Sequence, residues 1–109
     1  MQDWLEGLAA RRPAAFEKCL ARIVALADEG NQLRRPIADY LRDGIYELRA
    51  TSRGIHYRIL YFFHGSHVAM LSHGTTKLDA VEKKDIELAI KRKQLVQANP
   101  ALHTAEFEI

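Results

Sequence analysis

With one cysteine among its 109 residues, the chain cannot form an internal disulfide. Cys19 lies among helically spaced apolar neighbours, where a buried and unreactive thiol is expected. One cysteine and five scattered histidines give no metal-ligand spacing, so neither a metal nor another cofactor is expected. No stretch approaches the roughly 18 apolar residues of a membrane span, and the N-terminus lacks a basic-then-apolar leader. A soluble, cytoplasmic protein is therefore expected. A surplus of one charge is also missing. The formal net charge is +2, so bulk charge alone makes no case for a polyanionic partner, and the placement of the basic residues must decide.

What is present suits one globular domain. The composition is 48% apolar and 28% charged, without repeats, low-complexity segments or a linker that would split the chain. Asp3 is placed to cap a short helix over Trp4 to Ala10, with Trp4, Leu5 and Leu8 as its apolar stripe. Pro13 suits the start of a second helix. Its expected buried face is Phe16, Leu20, Ile23, Val24 and Ala27, and Gly30-Asn31 is expected to end it in a left-handed stop. The basic segment Leu33-Arg34-Arg35-Pro36 reads as a loop. From Ile45 the period changes to two, predicting strands Ile45 to Thr51, Ile55 to His64 and His67 to His73. A last helix is predicted from about Val81 to Gln97, with Val81, Ile86, Leu88, Ala89, Ile90, Leu95 and Val96 as apolar members. Beyond Pro100 the tail alternates through Ala105, Phe107 and Ile109, which suits either an edge strand or a disordered end. The expected fold is thus α+β: an N-terminal helical hairpin, a three-stranded antiparallel meander and a C-terminal helix. The tail would make a fourth strand if it pairs.

Two-residue turns fix strand register, so the hairpins can be indexed by hand. With Arg53-Gly54 as the first turn, Arg49 faces Arg58. With Gly65-Ser66 as the second, His64 faces His67 and Arg58 faces His73. Arg49, Arg58 and His73 then form one cationic row, with Thr51, His56 and Thr75 in the next. The opposite face, including Tyr46, Leu48, Ala50, Tyr57, Ile59, Tyr61, Phe63, Val68 and Met70, is expected under the helices. Ile45, Leu60, Phe62, Ala69 and Leu71 make the far end of the arginine face apolar, and a helix could cover that end. Arginines placed opposite each other repel unless an anion lies between them. That anion is either a carboxylate of the chain, from Glu47 on the same face or from the last helix, or a phosphate from outside, which guanidinium forks suit. His56 and His73 share this face and carry imidazoles able to move a proton near neutral pH. Lys77 follows the third strand closely. Lys83 and Lys84 belong mainly to a solvated helix face and secondarily to a nucleic-acid stripe.

The blocks Gly44-Ile45-Tyr46-Glu47-Leu48-Arg49 and Tyr57-Arg58-Ile59-Leu60-Tyr61-Phe62-Phe63 are followed by His73-Gly74 and Lys77. Together with Trp4-Leu5 at the start and Asp85-Ile86-Glu87-Leu88-Ala89 near the end, this order resembles the phage-derived, HigB-like branch of the RelE/ParE toxin superfamily. The likeness runs from about Asp3 to Gln97. It implies a RelE-like fold and a toxin of a type II toxin–antitoxin pair, restrained by a helix-turn-helix antitoxin. Such toxins enter the ribosomal A site, on the small subunit, where they cut mRNA through the ribose 2′-hydroxyl. By position, the family's sheet arginines fall on Arg49 and Arg58, and its basic residue after the last strand on Lys77. Arg58, Arg49, Lys77 and His73 are then the catalytic candidates, and His56, Lys83 and Lys84 the RNA-binding ones. The strand that precedes the first helix in relatives is not expected ahead of the Trp4 helix here. The superfamily also contains members that poison gyrase, so a non-catalytic inhibitor or an inactive antitoxin-binding module stands as the alternative.

Overall fold

The computed structural model describes residues 1–65, 68–76 and 82–99. Pro13 separates two helices, α1 (Gln2–Arg11) and α2 (Pro13–Glu29). Proline is tolerated at the head of α2 because first-turn N–H groups have no intrahelical acceptor. Asp3 lies inside the first turn of α1, where its charge favours the positive end of the helix without capping it. The buried line of α2 is Ala15, Cys19, Ile23 and Leu26, rotated from the expected stripe. Phe16 is half-buried at its flank and Ala27 is exposed. Gly30 has φ 57° and ψ −131°, outside the left-handed helical region. It leads into a 3-10 turn over Gly30–Gln32 instead of the expected stop.

Four antiparallel strands follow in chain order: β1 (Ala38–Arg42), β2 (Ile45–Ser52), β3 (Ile55–His64) and β4 (Val68–Thr76). The expected meander is present, with β1 as the fourth strand at its edge. β1 is short, and charged Asp39 and Arg42 blur its alternation. Its sequence signal is the Asp43-Gly44 turn. Asp43 and Gly44 have φ of 52° and 79°, the two positive values of the tight hairpin turn that matches strand twist. Arg53 and Gly54, at 53° and 79°, repeat it between β2 and β3. The indexed register holds there: Ser52 pairs with Ile55, Thr51 with His56, and Arg49 with Arg58.

The next hairpin differs from expectation. His64 pairs with Val68, one residue beyond the His67 partner that a Gly65-Ser66 turn requires. A slip of one residue exchanges the faces of a strand. Ala69 and Leu71 consequently join the core under α1 and α2, Met70 joins the opposite core, and Val68 is exposed. Further along, Tyr61 pairs with Leu71 but Leu60 pairs with His73, so Ser72 is an extra residue in a β-bulge. His73 therefore stands beside Leu60, and Arg58 beside Thr75. The row of Arg49, Arg58 and His73 does not exist as such.

The sheet is covered unequally. On one face α1 and α2 pack over Leu48, Ala50, Tyr57, Ile59 and Tyr61. On the other, α3 (Lys83–Ala98) covers only one end, setting Ala89 and Val96 on Ile45, Leu60 and Phe62. Leu88 and Leu95, expected in the apolar stripe, are exposed on the outside of α3. Val81, Lys77 and the alternating tail lie outside the described residues. The uncovered end of this face carries Arg49 and Arg58. No helix among the described residues is long and apolar enough to cross a membrane.

Trp4 of α1 ties the hairpin of helices to the last strand. Its ring meets Tyr57 edge-on at 6.5 Å between centroids, and it lies flat against Gly74, where an added Cβ would overlap the indole. Gly74→Ala is expected to cost about 1–3 kcal/mol through overpacking. Urea denaturation checks this, and Trp4→Leu in the same chain should remove most of the penalty for the alanine.

Candidate nucleic-acid interface

Arg49 and Arg58 face each other across β2 and β3, and the anion between them belongs to the chain. Glu47 is 1% exposed. Its carboxylate accepts from Arg49 Nε at 2.8 Å and from Arg58 Nη1 at 2.9 and 3.1 Å. A second carboxylate, Asp39 on β1, accepts from Arg49 Nη2 at 3.2 Å and from Arg35 Nη2 at 2.8 Å. The hydrogen bond from Arg35 is the main reason that the Asp39 carboxyl lies below its ordinary range. Three guanidinium groups thus meet two carboxylates, and one positive charge is left over. Arg58 Nε is buried and has no hydrogen-bond partner among the described residues. Arg49 is the more open of the opposed pair, at 36% side-chain exposure against 15% for Arg58.

The two histidines of this face have separate surroundings. Thr51 Oγ1 lies 3.1 Å from His56 Nδ1 in a cross-strand pair at the open end. His73 is held at the covered end, between Ser72 Oγ at 2.9 Å from Nδ1 and Asp85 Oδ1 of α3 at 3.3 Å from Nε2. These partners suit a neutral ring, with Nδ1 accepting from the serine and Nε2 donating to the carboxylate. Burial lowers the His73 pKa from its ordinary value, outweighing the opposing pull of Asp85. Arg92 of α3 also donates to the Ser72 carbonyl, so this cluster fastens α3 to β4. Lys83 and Lys84 are exposed at the start of α3, with Glu87 at 3.8 Å and Glu82 at 3.3 Å respectively.

A groove of about 560 Å³ opens at the uncovered end. Its wall includes Arg49, His56 and Arg58, as well as Lys18 and Arg22 from α2, with Pro36 and Ile37 alongside. No carboxylate is among these lining residues. His73, Lys83 and Lys84 do not line it. Lys18 and Arg22 were not among the expected site residues. Their sequence signal is their spacing of four, which puts both on one face of α2 beside the buried line. Nothing in that spacing reveals that the face borders the end of β2. No cluster of histidine, cysteine and acidic side chains that could hold a metal ion occurs among the described residues.

Residues 3–94 match the family described as Phage derived protein Gp49-like (DUF891). The chain belongs to this family. Gp49-like proteins are phage-derived and toxin-like, and the matched region takes in the whole lining of the groove. A search of curated proteins and one of solved structures give no match.

Stability and pH test this Gp49-like site in different ways. Glu47→Ala strands two guanidinium groups and should lower stability by about 3–5 kcal/mol, as losing one side of a buried ion cluster does. Asp39→Ala, at the exposed margin, should cost about 1 kcal/mol or less in the same urea titration. For His73, a folded-state pKa below the unfolded value means that the unfolded chain binds more protons in the interval between them. The contribution of neutral His73 is therefore complete above about pH 6.5 and lost as pH falls through the lower folded value. Urea midpoints should fall between about pH 7 and pH 5, and His73→Asn should flatten that dependence.

Proposed function

We propose that this Gp49-like protein is the toxin of a type II toxin–antitoxin pair, a RelE- and HigB-like endoribonuclease that cuts mRNA on the ribosome. The observation that carries this reading is the open groove, with Lys18, Arg22, Arg49 and Arg58 in its wall and no carboxylate among its described lining residues. The substrate would be mRNA in the ribosomal A site, in the cytoplasm, and the restraining partner a helix-turn-helix antitoxin.

In this mechanism the ribose 2′-oxygen attacks the adjacent phosphorus and the 5′-oxygen of the next nucleotide departs. The departing 5′-oxygen takes up a proton from solvent, so the products are a 2′,3′-cyclic phosphate and a 5′-hydroxyl. Arg49 and Arg58 would bind the phosphate and offset the charge that builds on it. Glu47 and Asp39 fix where those guanidinium groups point, so little reorganisation is needed when that charge develops. His56 is the imidazole in the groove and is assigned the proton of the 2′-hydroxyl. His73, tied to Ser72 and Asp85, is assigned to positioning α3 instead. Lys77 retains its assignment from the family pattern, as a basic residue that adds positive charge. Lys83 and Lys84 would meet only RNA that extends beyond the groove. The route needs no metal ion, because the nucleophile belongs to the RNA and guanidinium groups meet the charge.

One observation favours a rival reading. Glu47 already supplies the negative charge between the arginines, as it would in a non-catalytic binding module or an inhibitor of a protein target such as DNA gyrase. Expression in bacteria with mapping of mRNA ends separates the two. The wild type should arrest growth and leave codon-phased ends, and Arg58→Ala should reduce cleavage by about 100-fold or more. Growth arrest with intact mRNA, or arrest that survives loss of both Arg49 and Arg58, would favour the inhibitor.

A further inference from the structure

Lys18 and Arg22 border the groove but stand apart from the Glu47 network. β1 pairs with β2 only as far as Ala38 opposite Leu48, with one more bond from Arg49 N–H to the Ile37 carbonyl at 2.7 Å. Beyond that point the carbonyls on this edge of β2 have no neighbouring strand among the described residues. The α2 cations serve them: Arg22 Nε donates to the Arg49 carbonyl at 3.0 Å, and Lys18 Nζ to the Thr51 carbonyl at 2.9 Å. Each bond uses one donor of a group that has three or five. The acceptors are neutral, so both charges remain uncompensated, unlike those of Arg49 and Arg58. Neither side chain has a carboxylate partner among the described residues.

The spacing of the two cations matters as much as their charge. Four residues separate them on the helix, about 6 Å along its axis. The two carbonyls that hold them are two residues apart on an extended strand, again about 6.6 Å. They are thus fixed at separate points along one line, as consecutive phosphates of an unpaired strand are. In-line attack by a 2′-oxygen also requires the backbone to leave regular duplex geometry. We infer that Lys18 and Arg22 form a phosphate track, holding the nucleotides next to the scissile bond of an unpaired RNA strand. They are positioning residues, and the inference rests on the RNA-cleaving reading of the same groove.

The test uses the full chain and two probes: fluorescein-labelled hexauridylate, and uridylyl-uridine, which has a single phosphodiester. Lys18→Gln and Arg22→Gln, combined, remove both charges while leaving an amide N–H for the carbonyls. Hexauridylate affinity should fall about tenfold or more at low salt. Its logarithmic salt slope should become shallower by about 1.4, at about 0.7 for each phosphate of the single strand that is no longer neutralised. Uridylyl-uridine affinity, read by competition, should be unchanged. Lys18→Arg, which keeps charge and donor, should bind hexauridylate as the wild type does. An unchanged slope, or an equal loss for both probes, overturns the phosphate track. If the wild type binds hexauridylate through Arg58 but the double variant behaves identically, only this inference fails. If the wild type shows no salt-dependent binding of hexauridylate at all, the RNA reading fails with it.

Discussion

A carboxylate sealed into the sheet is the constraint on which the open end of this protein depends. Glu47 stands opposite Leu60, which α3 covers, so it loses its water as the second core closes. An ionised carboxylate in that position requires several donors, and Arg49 and Arg58 supply them from the exposed side. The arginines in turn would repel each other without it. Each group makes the others tolerable, and the geometry that results is rigid. Asp39 extends the arrangement to the edge strand, so one charge network links three of the four strands.

The unequal cover of the sheet follows from where its apolar residues fall. One face is apolar along its length and takes two helices. The other is apolar toward one end, at Leu41, Ile45, Leu60, Phe62 and Met70, and that end lies under α3. Among the described residues no helix lies over the remaining surface, and its side chains are polar or cationic. α2 reaches round the short edge of β1 to lend Lys18 and Arg22 to the same region. Those bonds also occupy edge carbonyls that would otherwise invite another strand.

The parts of the fold written in local chemistry were legible in the sequence. Pro13 marked the helix start, and Arg53-Gly54 fixed the register that brings Arg49 opposite Arg58. Neither the slip after His64 nor the bulge at Ser72 was legible, because one extra residue leaves no mark on composition or alternation. The slip exchanged the faces of the first half of β4. The bulge reversed that exchange and left His73 two places along β3 from Arg58. β1 was announced by Asp43-Gly44, but five residues with two charges gave too little alternation to read as a strand. Glu47 could be named as a partner of the arginines, whereas its burial depends on α3, which is distant in the chain. The roles of Lys18 and Arg22 are tertiary for the same reason: they arise where a helix meets the end of a neighbouring strand.

Cys19 has a use that its chemistry conceals. It is 1% exposed on the sheet-facing line of α2, and burial pushes its thiol up to about 11. As the single sulfhydryl in the chain, it can react with a soluble thiol reagent only when α2 parts from the sheet. The rate of its modification is therefore a direct clock for that opening, readable in the native chain without any engineered label. Because α2 forms one wall of the groove, a ligand lodged against that wall should slow the clock.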